Sequence, residues 1–182
     1  MPHQHTAAES IQAYIRAKDG NRPHLLEDVF LGDAQLRMVV RTAAISFPPM
    51  SVGRTAIADT LVRRFNQTCE NIYTLCIGEA PSGEVESFTC GWLVAMSEKQ
   101  GGAVRVGCGR YDWTFATPGS KVRALTITIA EMETMPGELL APVIAWISSL
   151  PYPWCDANLP GSTAPKFLPL QLVVQELDRM DS

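Results

Sequence analysis

Long apolar runs are missing from this chain, and no stretch is hydrophobic for the length a bilayer-spanning helix needs. The opening residues, MPHQHTAAES, have neither a basic segment nor an apolar one, so no secretory signal is expected there. Basic charge is also short: 15 Lys and Arg stand against 19 Asp and Glu, for a net charge of −4. That balance leaves no footprint for nucleic acid, and the adjacent Arg63 and Arg64 read as a solvated helix face. Five cysteines form an odd set with no C-x-x-C and no Cys/His metal spacing. They fit small buried thiols in a soluble protein of the reducing cytoplasm. His3 and His5 offer two ligands at most, so no metal site is expected. P-loop, G-x-S-x-G and HExxH motifs are absent, and the glycines of GGAVRVGCG lie in a hairpin. No cofactor is implied.

What remains is a folding composition: 46% apolar and 19% charged over 182 residues, enough for a sizeable core. Thr6 and Glu9 form a capping box ahead of a helix to about Lys18, with Ile11, Tyr14 and Ile15 on one face. Pro23 opens a second short helix through Phe30, and LRMVVRT follows as a short strand. A third helix starts after Ser51 or Gly53, with Ile57, Leu61, Val62 and Phe65 as its buried stripe. From Asn71 the period changes to two, and four strands are predicted, the last three as an antiparallel meander. MPGELLAPVIAWISSL and LQLVVQELDRM predict helices around PYPWCDANLPGSTAPKF, a proline-rich irregular stretch.

Segregated helices and strands predict an α+β fold, with helices on one face of a curved antiparallel sheet. The other sheet face is then left for water or a partner. Residues 1–135 form the main domain, and residues 136–182 a C-terminal helical extension packed on it, with Trp154 docked and the last helix buried through Leu172, Val173 and Leu177. One strand carries Tyr111, Trp113 and Phe115 on one face and Arg110, Asp112 and Thr114 on the other. Aromatic rows on strands are usually core. Phenol and indole groups, however, want polar partners once buried, which also suits the wall of a ligand pocket.

AYIRAKD, LEDVFLGDAQLRM, GRTAIADTL and above all GRYDWTFATPGSKVRALTI resemble the nuclear transport factor 2-like, or SnoaL-like, superfamily over roughly residues 10–132. The resemblance implies a cone with an internal pocket. Ketosteroid isomerase, scytalone dehydratase and polyketide cyclases share that fold with many non-catalytic proteins. Tyr14 stands where ketosteroid isomerase has the tyrosine of its oxyanion hole, and Tyr111 where it has a protonated aspartic acid. That enzyme's general base falls near Met38, so LRMVVRT offers no carboxylate for it. The resemblance also implies a homodimer paired through the sheet face that bears Arg110, Asp112 and Thr114.

The ligand-lining candidates are therefore Tyr14, Met38, Tyr111, Trp113, Leu125 and Ile127, around a small hydrophobic, oxygen-bearing ligand. His24 is the acid–base candidate beside Tyr14 and Tyr111, although a lone His on that turn is more often exposed. Cys90 and Cys108 lie on strands with no His to activate them. The expected function is a pocket protein, lyase- or isomerase-like if catalytic. The alternative is an interaction module using the open sheet face and the C-terminal tail.

Overall fold

Thr6 caps the first helix as its side chain implies. Its hydroxyl accepts from the Glu9 N–H at 3.2 Å, and the Glu9 carboxylate accepts from the Thr6 N–H at 2.8 Å. The computed structural model describes residues 5–182, so His3 lies outside the described residues. The helices of the N-terminal half are α1 (Ala7–Asp19), α2 (Leu26–Val29, entered through a 3-10 turn, Pro23–Leu25), α3 (Arg54–Ala58) and α4 (Arg64–Thr68). A π-helical turn, Asp59–Arg63, joins α3 to α4. The strands are β1 (Phe30–Val40), β2 (Met50–Val52), β3 (Cys69–Ile77), β4 (Ser87–Glu98), β5 (Val104–Phe115), β6 (Val122–Met135) and β7 (Trp154–Cys155). The extension adds α5 (Leu140–Ser149), α6 (Asn158–Thr163) and α7 (Leu168–Asp181).

The seven strands form one open sheet in the order β2-β1-β6-β5-β4-β3-β7. The meander β4–β6 is antiparallel as expected and β3 joins it antiparallel to β4, but β1 runs parallel to β6, and β7 parallel to β3. Alternation in sequence carries no strand direction, so those two parallel contacts were not foreseeable from it. Phe30 belongs to β1 rather than to the preceding helix. The stretch around Trp154 is less irregular than its prolines suggested, since it holds β7 and α6.

Two cores lie on the two faces of the sheet. The inner core packs α1–α4 against the aromatic row of β5 and against Leu125, Ile127 and Ile129 of β6. A bulge helps to shape it: Cys108 pairs with Glu131 and Gly109 with Ile129, leaving Ala130 as an extra residue on β6. The bulge bends the strand and switches its facing, so that Met132 rather than Glu131 joins the inner core. Beside it, Gly109 permits a close approach, because a Cβ there would sit 2.6 Å from the Trp92 ring and 1.8 Å from the Thr128 carbonyl.

The outer core is formed by the extension. Trp146 and Ile147 of α5, with Leu170, Val173, Val174 and Leu177 of α7, cover Leu93, Val104, Val106 and Cys108. Leu172, expected to pack, is 43% exposed, and Leu170 and Val174 fill that role. The outer face is therefore only half open, because the chain covers the rest with its own tail. Arg110, Thr114 and part of Asp112 remain accessible, with Arg110 and Asp112 paired at 3.1 Å. No helix among the described residues is long and apolar enough to cross a membrane.

Candidate functional site

A small cavity of about 40 Å³ lies inside the cone. Helix α1 contributes Tyr14 and Lys18, one turn apart and so on one face. Tyr111 comes from β5, Trp92 from β4, Met38 from β1, and Ile127 and Met132 from β6. Leu61 and Phe65 close it from the helices, and Ile45 and Phe47 from the loop between β1 and β2. The wall is almost wholly apolar, with the phenols, the Trp92 indole and Lys18 as its polar groups.

Of the residues singled out in the sequence, Tyr14, Met38, Tyr111 and Ile127 meet at this cavity. Trp113 and Leu125 are buried in the same core but stand behind the wall. The Trp113 ring abuts Tyr14 edge-on at 5.3 Å and backs it. His24 is exposed on the 3-10 turn and takes no part in the wall. The two polar wall residues besides the phenols, Lys18 and Trp92, went unnoticed in the sequence, as did the apolar Ile45, Phe47, Val94, Met96 and Met132. Lys18 could have been found from its i+4 spacing to Tyr14, whereas Trp92 is placed by its cross-strand neighbour Gly109, which no local pattern reveals.

The Tyr14 and Tyr111 rings meet edge-to-face at 5.7 Å, and Tyr111 stacks on Trp92 at 5.8 Å. The Trp92 Nε1–H makes no hydrogen bond in the protein, and the Tyr14 hydroxyl makes none of good geometry, its polar neighbour being the Tyr111 hydroxyl, although both groups are buried. Buried donors without partners are rare and call for an explanation. Burial pushes the Tyr14 phenol above the ordinary tyrosine value, an effect that the Tyr111 hydroxyl partly offsets and Asp19 reinforces. Burial likewise holds Tyr111 well above that value, with Tyr14 and Cys76 adding to it. Both phenols are thus protonated donors at neutral pH.

Lys18 is held by a buried polar network. Its Nζ donates to Thr74 Oγ1 at 2.6 Å, lies 3.3 Å from Asp19 Oδ1, and stands 4.8 Å over the Phe65 ring. Asp19 accepts from the Thr74 N–H and hydroxyl, both at 2.7 Å, and from the Tyr152 hydroxyl at 3.0 Å. Burial raises the Asp19 carboxyl above its usual range, against the opposing pull of Lys18 and Thr74.

The five cysteines are free and buried, and burial pushes the Cys108 thiol up to about 12, so it is no nucleophile. Among the described residues no cluster of three or more His, Cys, Asp or Glu is placed to hold a metal ion. The cavity wall includes no carboxylate and no imidazole. The arrangement can therefore polarise an oxygen, but has no ordinary general base on the wall to take a proton.

A second space, a groove of about 860 Å³, lies outside the cone between the β1–β2 loop, α4 and the β4–β5 turn. Ile45, Phe47 and Phe65 border both the groove and the cavity.

No protein-family profile matches the chain, and no curated protein matches it significantly in sequence. Solved structures do match in shape. A Rhodopseudomonas palustris protein assigned provisionally as an isomerase aligns with a TM-score of 0.56 and 12% identity, over 71% of this chain and 91% of that one. A nuclear transport factor 2-like protein from Salmonella enterica gives 0.54 and 15%, over 68% and 88%. A Catenulispora acidiphila protein with a ketosteroid isomerase-like fold, solved with trimethylamine, gives 0.50 and 17%, over 65% and 83%. At such identities the likeness concerns fold alone. The chain has the nuclear transport factor 2-like fold, the α+β cone expected from its sequence.

Proposed function

We propose that the cone is a small-molecule site that takes the oxygen-bearing end of an apolar ligand, with Tyr14 and Tyr111 as hydrogen-bond donors to that oxygen. The observation that carries this reading is the Tyr14 hydroxyl, fully buried on an apolar cavity wall beside the Tyr111 hydroxyl and without a hydrogen bond of good geometry in the protein. Drug-sized ligands occupy roughly 300–1,000 Å³. A cavity of about 40 Å³ takes a few heavy atoms, so only the tip of such a ligand enters. The unpartnered Trp92 N–H favours the same kind of occupant, and because Asp19 already meets the Lys18 charge, a neutral oxygen acceptor such as a carbonyl suits the site. If the site is catalytic, the phenols act as an oxyanion-type donor pair in a lyase or isomerase reaction, and a proton must go to a group outside the wall.

The interaction-module reading loses its motive, because the tail that suggested it packs on its own sheet. The exposed half of the outer face, with Arg110, Asp112 and Thr114, supports pairing into a homodimer, since one self-complementary patch is enough for two-fold symmetry. Free buried thiols suit a reducing, cytoplasmic setting.

Thermal-shift screening tests the pocket reading, since a ligand of the native state raises apparent stability by mass action. Methyl ketones should raise the melting temperature where alkanes of equal length do not. No shift with any ketone removes the pocket reading.

A further inference from the structure

The cavity and the groove share a wall made of three apolar side chains. Ile45 and Phe47 come from the loop between β1 and β2, and Phe65 from α4. That loop is fastened at its ends by Arg41 N–H to the Ile129 carbonyl at 2.9 Å and Met38 N–H to the Pro49 carbonyl at 3.0 Å. Midway, Arg105 Nη1 donates to the Ala44 carbonyl at 2.7 Å. Between these ties the loop pairs with no strand, so Ile45 and Phe47 form the part of the cone wall least held by backbone bonds.

The groove is cationic. Arg64, Lys99 and Arg105 line it with Glu98 as the only acidic residue, in a chain whose net charge is −4. Arg105 is committed, since its Nε donates to Glu98 at 2.6 Å. Arg64 and Lys99 are exposed and make no ion pair among the described residues. The π turn Asp59–Arg63 adds a backbone signal, for such turns recur at functional sites. It puts Thr60 on the groove and Leu61 on the cavity, and α4, which carries Arg64, follows it.

We propose that the groove binds the anionic end of an amphiphilic ligand, a carboxylate held by Arg64 and Lys99. Its apolar chain passes between Ile45, Phe47 and Phe65, and its neutral oxygen-bearing tip enters the cone. The proposal rests on the pocket reading and extends it to the ligand's class, an oxo-carboxylic acid of medium chain length. The volumes suit a division of this kind: about 40 Å³ inside accepts an acetyl-sized tip, and about 860 Å³ outside accepts the rest. Charge decides which end goes where. A carboxylate in the apolar cone would lose its hydration without full compensation, whereas the groove offers two unpaired cations and water.

Calorimetric titration of the full chain with 9-oxodecanoate and with its methyl ester tests the proposal, because the two probes differ only in the charged end. The acid is expected to bind about tenfold more tightly than the ester at low salt, the order that two partly screened ion pairs supply. At about 0.5 M salt the preference should shrink towards unity. In an Arg64→Gln/Lys99→Gln variant the acid should fall to the affinity of the ester, while ester binding is unchanged and reports an intact cone. Equal affinity of acid and ester in the unaltered protein, or a preference that survives in the double variant, overturns the groove proposal and leaves the pocket reading standing. If neither probe binds, the pocket reading fails and the groove proposal with it.

Discussion

The Tyr152 hydroxyl donates to Asp19 Oδ2 at 3.0 Å, joining the C-terminal extension to the end of the first helix. Asp19 is the same carboxylate that faces Lys18, so the docking of the tail and the placement of the cavity's cation share one buried anion. The two partners of Asp19 should not be equivalent. Tyr152 is 44% exposed, and water can replace its bond, so Tyr152→Phe should cost about 0.5–1.5 kcal/mol. Asp19→Ala strands Lys18 in the core and should cost about 3–5 kcal/mol. Urea unfolding of both variants measures the difference, and equal losses would mean that Asp19 is not the hub of this network.

Truncation after Leu150 should abolish cooperative folding. It strips Leu170, Val173, Val174 and Leu177 from the outer face of β4 and β5. At about 1.5–3 kcal/mol per buried aliphatic side chain, the loss approaches the roughly 5–15 kcal/mol of a whole domain. A truncated chain that melts at the original temperature would show that the tail is not part of the fold.

Alkaline pH should destabilise the protein through its buried phenols. Tyr14 and Tyr111 both have folded-state pKa values raised above the ordinary value of 10.0, first of all by burial. The folded state therefore keeps protons that the unfolded chain releases. The contribution to stability is complete below about pH 10 and is lost as the pH climbs beyond it. Denaturant midpoints recorded from about pH 9 to 11 should fall, and fall less steeply in Tyr111→Phe. A midpoint independent of pH over that range would contradict the assignment of buried, protonated phenols.

The parts of this architecture legible in the sequence were those written in local periodicity. Alternation on β5 separated Tyr111, Trp113 and Phe115 from Arg110, Asp112 and Thr114, and the structure buries the first set and leaves most of the second accessible. The capping box at Thr6 began the first helix where expected. Non-local features were hidden. The extra residue Ala130, which turns Met132 inward, interrupts an alternation that looks continuous in the sequence. The pairing of β7 with β3 depends on a strand of two residues, too short for any period to show. Lys18 looked like a helix terminus because its burial depends on Thr74 and Asp19, and Thr74 lies 56 residues away.

The account stands on the donation of hydrogen bonds by Tyr14 and Tyr111 to a ligand oxygen, and one comparison bears on it most directly. The affinity of Tyr111→Phe for methyl 9-oxodecanoate can be set against its affinity for methyl decanoate, which lacks only the ketone oxygen. Loss of a buried donor to an oxygen acceptor should weaken ketone binding by about tenfold and leave binding of the ester without the ketone unaffected. Equal affinity of Tyr111→Phe and the unaltered protein for the ketone would contradict the account.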